Sequence, residues 1–501
     1  MTTHTLTIVV FVLAASIIAC SLSSIRARQV LLLLASYLFY SNWGLGFLSI
    51  LIASSLLNFS LGALLRHRMT SRWLWTSVGL NVALLGFFKY LPPMAEAVGT
   101  TGWQLELVRK ILMPVGMSFW TFQGLSYLFD VYREEELDPS LLEFCLYMAF
   151  WPVVFAGPVC RLPDMLPQFR KPHVFSWDDI SEGSFRLIQG AFMKMFLATI
   201  LGGGLVLGQG VAAGFDAVKS GWGALDIWFL GVGFGFLLFF DFAGYSHIVI
   251  GTARLFGIRL PENFNRPFLS TTPSIFWTRW HMSLSSWIRD YVFVPLAAAS
   301  RNRRWPYAAF IIAMTLFGLW HAAKWTFIVW GTYHGVLLVI HRLGQQVKRK
   351  YQIKMSPSVG AFLAWAVTFP VISLGWIFFR ANSLPQAVSM FSTVFSPAAY
   401  ARLRMPYSFY VVVAALVVGY FVFEAASSTL AAWGGAYKAN LSSSANIIGL
   451  RLNAGGLFSF FADRFWWWFA PAVAVLAAFV AVATYRQSGA VSVTPFIYTL
   501  F

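Results

Sequence analysis

Charge is what this 501-residue chain has least of. Asp, Glu, Lys and Arg make up only 11% of it, where an average soluble domain carries about 25%. Hydrophobic residues make up 58%, and the mean hydropathy is +0.68. That balance excludes an ordinary soluble domain and marks an integral membrane protein. Acidic residues are scarcer still, 19 against 36 basic ones, for a net charge of +17. The basic residues cluster between hydrophobic runs. They read as topology signals and contacts with anionic lipid headgroups, so membrane lipids and not nucleic acid are the expected partners.

Cysteine too is scarce, at three residues. Cys20, Cys145 and Cys160 lie scattered in or beside apolar stretches, which makes neither a disulfide framework nor a metal spacing. HExxH, CxxC and carboxylate clusters are all missing, so no metal is expected. No internal repeat and no low-complexity linker divides the chain, which reads as one membrane domain over 1–501. "GVGFGF" at 231–236 lacks any βαβ context and reads as close helix packing instead of a nucleotide loop.

What is present is a succession of apolar runs long enough to cross about 30 Å of hydrocarbon. They lie near 5–22, 30–45, 47–65, 73–91, 111–129, 141–159, 185–211, 222–250, 306–341, 360–379, 407–430 and 466–485. The first lacks a basic leading region and reads as a retained span. Several are broken by Gly or Pro or are too long for one crossing, so the fold class is all-α and polytopic. About eleven transmembrane helices are expected, with re-entrant and amphipathic pieces around an internal cavity. "RAR" at 26–28, "RHRMTSR" at 66–72, "RNRR" at 301–304 and "RLGQQVKRK" at 342–350 are the strongest basic clusters, and all four are assigned to the cytoplasm. Residues 305–341 must then leave the cytoplasmic side and return. Three further crossings place the C-terminus outside.

Two segments are too polar for their setting. In "TPSIFWTRWHMSLSSWIRDYVFVPL" (272–296), Thr272 and Pro273 form a helix start. Phe276, Trp280, Leu284, Trp287, Ile288 and Tyr291 form an apolar stripe, while Thr278, His281, Ser285 and Arg289 align on another face. An interfacial amphipathic helix and a helix lining a wet cavity with His281 pointing in both fit this pattern. In "LFGLWHAAKWTF" (316–327), His321 sits between tryptophans with Lys324 close behind. Placing an ionisable group in hydrocarbon costs about 3 kcal/mol on insertion scales. A hydrogen-bonded core histidine is one reading. The other is a functional group, since imidazole accepts and returns protons near neutral pH. His334 and His341 share a face of the following helix, with His341 beside Arg342 at the interface.

Seven stretches together resemble the membrane-bound O-acyltransferase family, in its bacterial polysaccharide-modifying branch. They are "FFKY" (87–90), "LMPVGMSFWTFQGLSYLFDVYR" (112–133), "FWPVVFAGPVCR" (150–161), "FDFAGYSHIVIGTARLFGIRLPENFNRPF" (240–268), "FWTRWHMSLSSWIRDYVFVPL" (276–296), "GLWHAAKWTFIVWGTYHG" (318–335) and "WIFFRA" (376–381). They define a motif core over 87–381. The resemblance implies a helical bundle with a central tunnel, open to an acyl donor from the cytoplasm and to the acceptor from outside. His321 then matches the family's catalytic histidine and His281 the second histidine. Trp280, Ser285, Arg289, Trp320 and Asn265 are the expected substrate-binding residues. The pattern is departed from at His247, where an aspartate is expected, and at Ala322, where a glycine is more usual after the histidine.

The implied activity is O-acylation, in particular O-acetylation, of an exopolysaccharide or cell-wall glycan at the bacterial cytoplasmic (inner) membrane. No bound cofactor is implied. The donor is acetyl-CoA or another thioester, such as an acyl carrier, and an extracytoplasmic esterase-like protein is the expected partner. Transfer to a lipid or protein is the alternative acceptor chemistry. A transporter using buried Asp130 or Asp241 is the alternative class. The tail 487–501 ends in "TPFIYTLF". Its Phe496, Tyr498 and Phe501 fit either an interfacial aromatic anchor or a tyrosine motif of acylation systems in which Tyr498 relays the acyl group.

Overall fold

The computed structural model describes residues 13–14, 16–18, 22–99, 101–133, 137–171, 177–203, 210–219, 221–352 and 356–448, with side chains as far as 427. Cys20, the expected span 466–485 and the tail with Tyr498 lie outside the described residues, as does most of the expected first span. Every regular element among the described residues is helical.

Local sequence marks the helix limits. Ser24 caps α1 (Ile25–Ser41) through the amide of Ala27. The expected turn at "SNWG" ends on Gly44, whose φ of 119° only glycine adopts freely, and leads into α2 (Leu45–His67). Thr70 caps α3 (Ser71–Lys89). Next come α4 (Met117–Tyr132), α5 (Leu141–Ala149), α6 (Leu162–Arg170) and α7 (Trp177–Ala191). The 32-residue α8 (Ala224–Leu255) precedes two short helices, α9 (Pro273–Trp277) and α10 (Met282–Ile288). α11 (Trp305–His321) and α12 (Trp325–Lys350) form a hairpin. α13 (Pro357–Arg380), α14 (Leu384–Val394) and α15 (Tyr407–Ile448) complete the described chain.

Five helices among the described residues are long and apolar enough to cross a membrane: Leu45–His67, Asp178–Gly202, Ala224–Leu255, Pro357–Arg380 and Tyr407–Ser427. The expected crossing at 141–159 is broken. α5 ends at Ala149, and 151–157 are turns buried in protein, the setting in which non-helical backbone is tolerated at membrane depth.

The described chain forms two compact units. One draws on the described residues up to Leu187 and on Tyr245–Thr368, the other on Ile188–Gly244 and the described residues from Phe369 onward. In the first, buried Asn58 and Asn81 exchange side-chain amide hydrogen bonds at 3.1 and 2.9 Å, so neither amide is left unpaired. The α11–α12 hairpin closes on backbone contact. A Cβ on Gly318 would meet the carbonyl of Phe327, and one on Gly331 the carbonyl of Met314. Thr315 and Thr332 bond across it at 2.8 Å. At its base Gln346 donates to the Tyr307 hydroxyl at 2.8 Å, bringing the 301–304 and 342–350 basic clusters to one end.

In the second unit, Gly235 of "GVGFGF" lies against the indole of Trp376, the close helix packing expected of that motif. Fully buried Asp226 accepts from the amides of Gly223, Arg404 and Met405 and from the Tyr410 hydroxyl. Lys194 pairs with Asp241.

Gly331→Ala drives a methyl into the Met314 carbonyl and should destabilise the protein by about 1–3 kcal/mol. Gly344→Ala, on the same helix with nothing within 4 Å, should instead stabilise it by about 0.5–1 kcal/mol. Thermal unfolding of the two detergent-solubilised variants should move in opposite directions.

Candidate active site

The apolar run around His321 is not continuous. α11 ends at His321, Ala322 is extended (φ −161°, ψ 154°), and Lys324 is the extended N-cap of α12. Lys324 is therefore exposed in the turn, while His321 is 7% exposed. The expected excursion over 305–341 is thus a hairpin with His321 next to its apex. The imidazole is packed among Phe317, Trp320 and Trp330, with ring centroids at 5.0, 4.8 and 5.3 Å.

The segment 272–296 does not form the single helix expected of it. The Thr272 side chain does cap α9 through the Ile275 amide at 3.1 Å, and the six stripe residues are all buried. The helix nevertheless stops at Trp277 and restarts at Met282, with His281 between them at φ 44°. A distant loop causes the break. The Met282 amide, which a continuous helix would send four residues back, donates to the Asn263 carbonyl at 2.8 Å. After α10 the backbone widens into a π-helical turn over Arg289–Phe293. The common face expected for Thr278, His281, Ser285 and Arg289 therefore fails at His281, which turns into the interior and is 2% exposed.

Asn263 is the hub of that interior. Its Oδ1 lies 3.3 Å from His281 Nδ1 and accepts from the Ser283 hydroxyl at 2.6 Å. Its Nδ2 donates to Ser246 at 3.1 Å, and Ser283 accepts the Val159 amide at 2.9 Å. An acceptor at Oδ1 requires the proton of His281 on Nδ1, which makes Nε2 the acceptor. His281 and His321 are within electrostatic reach of each other.

An apolar cavity of about 530 Å³ lies alongside, walled by Trp277, Met282, Phe293, Phe310, Met314 and Phe317, with Thr278, Ser285, Ser286 and Arg289 as its polar lining. Neither histidine forms part of its wall. Phe317, part of that wall, has its ring 5.0 Å from that of His321. A polar cavity of about 430 Å³ shares Ser283, Ser286 and Arg289 with the first and adds Arg133, Arg161 and Asp290. Arg161 and Asp290 pair at 2.7 Å. Burial pushes the Asp290 carboxyl up, but hydrogen bonds from Arg289 and Arg161 more than offset this and hold it below the usual carboxylate range.

The expected substrate-binding residues divide. Ser285 and Arg289 line the apolar cavity. Trp320 is buried beside His321. Trp280 is buried against Phe276 and Phe264, not in either cavity wall, and its carbonyl accepts from Ser285. Asn265 is exposed and only its backbone amide is engaged, with the Arg279 carbonyl. The asparagine at the site is Asn263, two residues earlier. The departure at His247 places its Nδ1 3.4 Å from Arg186, which also pairs with Glu262. His334 is buried, edge-on to Trp277 and Trp330, and His341 bonds Gln345 nearer the surface.

Lys89 also reaches the site. Its ammonium lies 4.9 Å from the Trp320 ring centroid and 3.4 Å from the Ser118 hydroxyl, and the neighbouring Tyr90 hydroxyl donates to the Leu319 carbonyl at 3.1 Å. "FFKY" was the available signal for it. Among the described residues, no three histidine, cysteine or carboxylate side chains gather as a metal site.

A helical membrane protein with two buried histidines and an apolar cavity nearby has the makings of a transferase that works on an activated acyl group. The chain belongs to the membrane-bound O-acyltransferase family, whose model matches residues 117–381, and it is an acyltransferase. It is 36% identical over 386 residues (75% of this chain, 71% of the relative) to a probable alginate O-acetylase of Pseudomonas aeruginosa. It is 31% identical over 391 residues (72% of each) to a peptidoglycan O-acetyltransferase of Helicobacter pylori. A teichoic acid D-alanyltransferase of Bacillus subtilis is 29% identical over 278 residues (53% of this chain, 68% of the relative). Residues 454–501 match a separate family of unknown function.

Asn263→Ala leaves the Ser283 hydroxyl and the His281 Nδ1–H without their acceptor, at a cost of about 1–3 kcal/mol per buried group. The expected result is a lower unfolding midpoint together with reduced acyl transfer. Asn265→Ala, at the exposed position, should change neither.

Proposed function

We propose that this enzyme takes an acyl group, in the first instance acetyl, from a cytoplasmic thioester and passes it across the membrane for O-acylation of an extracytoplasmic glycan. His321 is the general base. The observation that carries this reading is the burial of both His321 and His281, within electrostatic reach of each other, with an apolar cavity lined by Phe317 nearby. Neutral imidazole takes the acceptor hydroxyl proton as oxygen attacks the thioester carbonyl, then returns it to the departing sulfur. A dry site discourages hydrolysis of the donor. His281, oriented by Asn263, offers Nε2 for positioning substrate.

The apolar cavity suits the thin arm of a thioester donor. Arg133 in the neighbouring polar cavity, which also holds the Arg161–Asp290 and Arg289–Asp290 pairs, is the cation that suits its phosphate. The two basic clusters at the base of the hairpin suit an acidic or phosphorylated donor approaching from the cytoplasm. Acetyl-CoA is the donor of this reading, with a carrier-bound thioester the same chemistry on a larger partner. Two relatives named as O-acetyltransferases of alginate and peptidoglycan support a glycan acceptor, handled with an extracytoplasmic esterase-like partner.

The same reading makes 1–501 one membrane enzyme carrying a distinct C-terminal segment. In it Tyr498 accepts the acyl group and presents it outside. A phenol with a pKa of about 10 ionises more readily than a sugar hydroxyl, and phenolate is the better leaving group, so onward transfer runs downhill. The separate family match over 454–501 supports treating the tail as a unit with its own role.

His321→Ala should lower the ester-linked acetate of the envelope polymer by about 10²–10⁴-fold at unchanged membrane abundance, with His281→Ala also severely impaired. Normal acylation by the His321 variant would sink the reading. Tyr498→Phe keeps the aromatic tail and removes the acceptor oxygen. A normal rate in that variant would leave Tyr498 as an interfacial anchor only.

A further inference from the structure

We propose that the Lys89 ammonium supplies the positive charge that stabilises the oxyanion formed when the acceptor attacks the thioester carbonyl beside His321. The proposal rests on acyl transfer at His321 as read above and adds a catalytic residue to it. Lys89 lies upstream of the family match over 117–381.

A lysine in the last turn of a helix ordinarily faces that helix's free carbonyls or snorkels to water. Lys89 is the final residue of α3 and does neither. It is half-buried, and its ammonium lies 4.9 Å from the Trp320 ring centroid. Its side-chain hydrogen bond is to Ser118 at 3.4 Å, the long limit for such a bond. No carboxylate pairs with it among the described residues. Tyr90 fastens the segment to α11 through the Leu319 carbonyl, so the ammonium is held against the residue preceding His321 and lies within electrostatic reach of the imidazole. Three N–H donors share one distant hydroxyl and one aromatic face. Donor capacity remains for an anion that exists only during the reaction.

The step balances without another reagent. The acceptor oxygen forms a bond to the acyl carbon as its proton passes to His321. The carbonyl electrons move onto oxygen, where Lys89 donates a hydrogen bond to the developing charge. Collapse re-forms the carbonyl, breaks the carbon–sulfur bond and returns the proton from His321 to sulfur. The products are an oxygen ester and a free thiol. Interactions that strengthen only as charge develops raise kcat and leave ground-state binding unchanged.

The test is thiol release from acetyl-CoA, followed in membrane vesicles that carry the full-length chain and its own acceptor. Lys89→Met, close in shape and uncharged, should lower kcat by about 10²–10³-fold with the KM for acetyl-CoA nearly unchanged. Lys89→Arg, which keeps the charge, should recover most of that loss. A Lys89→Met variant with near wild-type kcat, beside an inactive His321→Ala, overturns the assignment and leaves the acyl-transfer reading standing. A loss carried by KM, or a Lys89→Arg variant as inactive as Lys89→Met, also overturns it. Should Lys89→Met fail to accumulate, Lys89→Gln takes its place in the same comparison. A His321→Ala variant as fast as wild type would instead bring down the reading beneath the proposal.

Discussion

Backbone contact between Gly318 and Gly331 is the constraint on which the site depends. Lipid gives two apolar helices little reason to prefer each other, so association rests on close packing and hydrogen bonds. At this crossing each glycine faces the other helix's carbonyl with no room for a side chain. Trp330 immediately before Gly331, and His334 one turn after it, are thereby carried into the interior that holds His321. A hairpin splayed by a larger residue would open the ring of Phe317, Trp320 and Trp330 and return the imidazole to lipid or water. The chemistry proposed for His321 therefore depends on two residues that carry no functional group.

Several buried polar groups elsewhere are satisfied by a single nearby partner. Asn58 and Asn81 satisfy each other. Asp130 accepts from the Tyr291 hydroxyl at 2.6 Å, and Asp241 is paired with Lys194. Those two aspartates were the grounds for considering a transporter. Each has one oxygen engaged by a single partner. The family match over 117–381 assigns the chain to acyl transfer. Asn263 differs from them because it collects four partners from two segments, Ser246 of α8 and the consecutive His281, Met282 amide and Ser283.

The hairpin was legible in the sequence because two basic clusters on the same side of the membrane force the chain between them to go out and back. That parity placed His321 near the apex without any knowledge of packing. The helix start at Thr272 was legible too, since capping is a local matter of one side chain and an amide three residues on. The break at His281 was not. Helical periodicity over 272–296 is real, and its apolar stripe is buried as the spacing implied. What ends the helix is the Asn263 carbonyl, from a loop that no local window includes. The same blindness chose Asn265 over Asn263, for in "ENFN" the two asparagines are equivalent until the fold decides which one faces inward. Lys89 escaped notice for a related reason: beside Tyr90 at a helix end it looks like an interfacial cation, and only Trp320 and Ser118 show otherwise.

The separation of the cavity from the histidines bears on which donor the enzyme can use. Trp277, Met282 and Phe317 wall the cavity, and His321, which is not part of that wall, packs against Phe317. A thioester lying in the cavity cannot react until its carbonyl passes that wall. Dense apolar packing makes displacement of each side chain costly, and the cost rises with the size of what must pass. A short acyl group displaces least. In the proposed reaction the same packing discourages hydrolysis of the thioester and favours small acyl groups. A preference for acetyl in that reaction needs only close packing around His321, with no pocket to measure the chain.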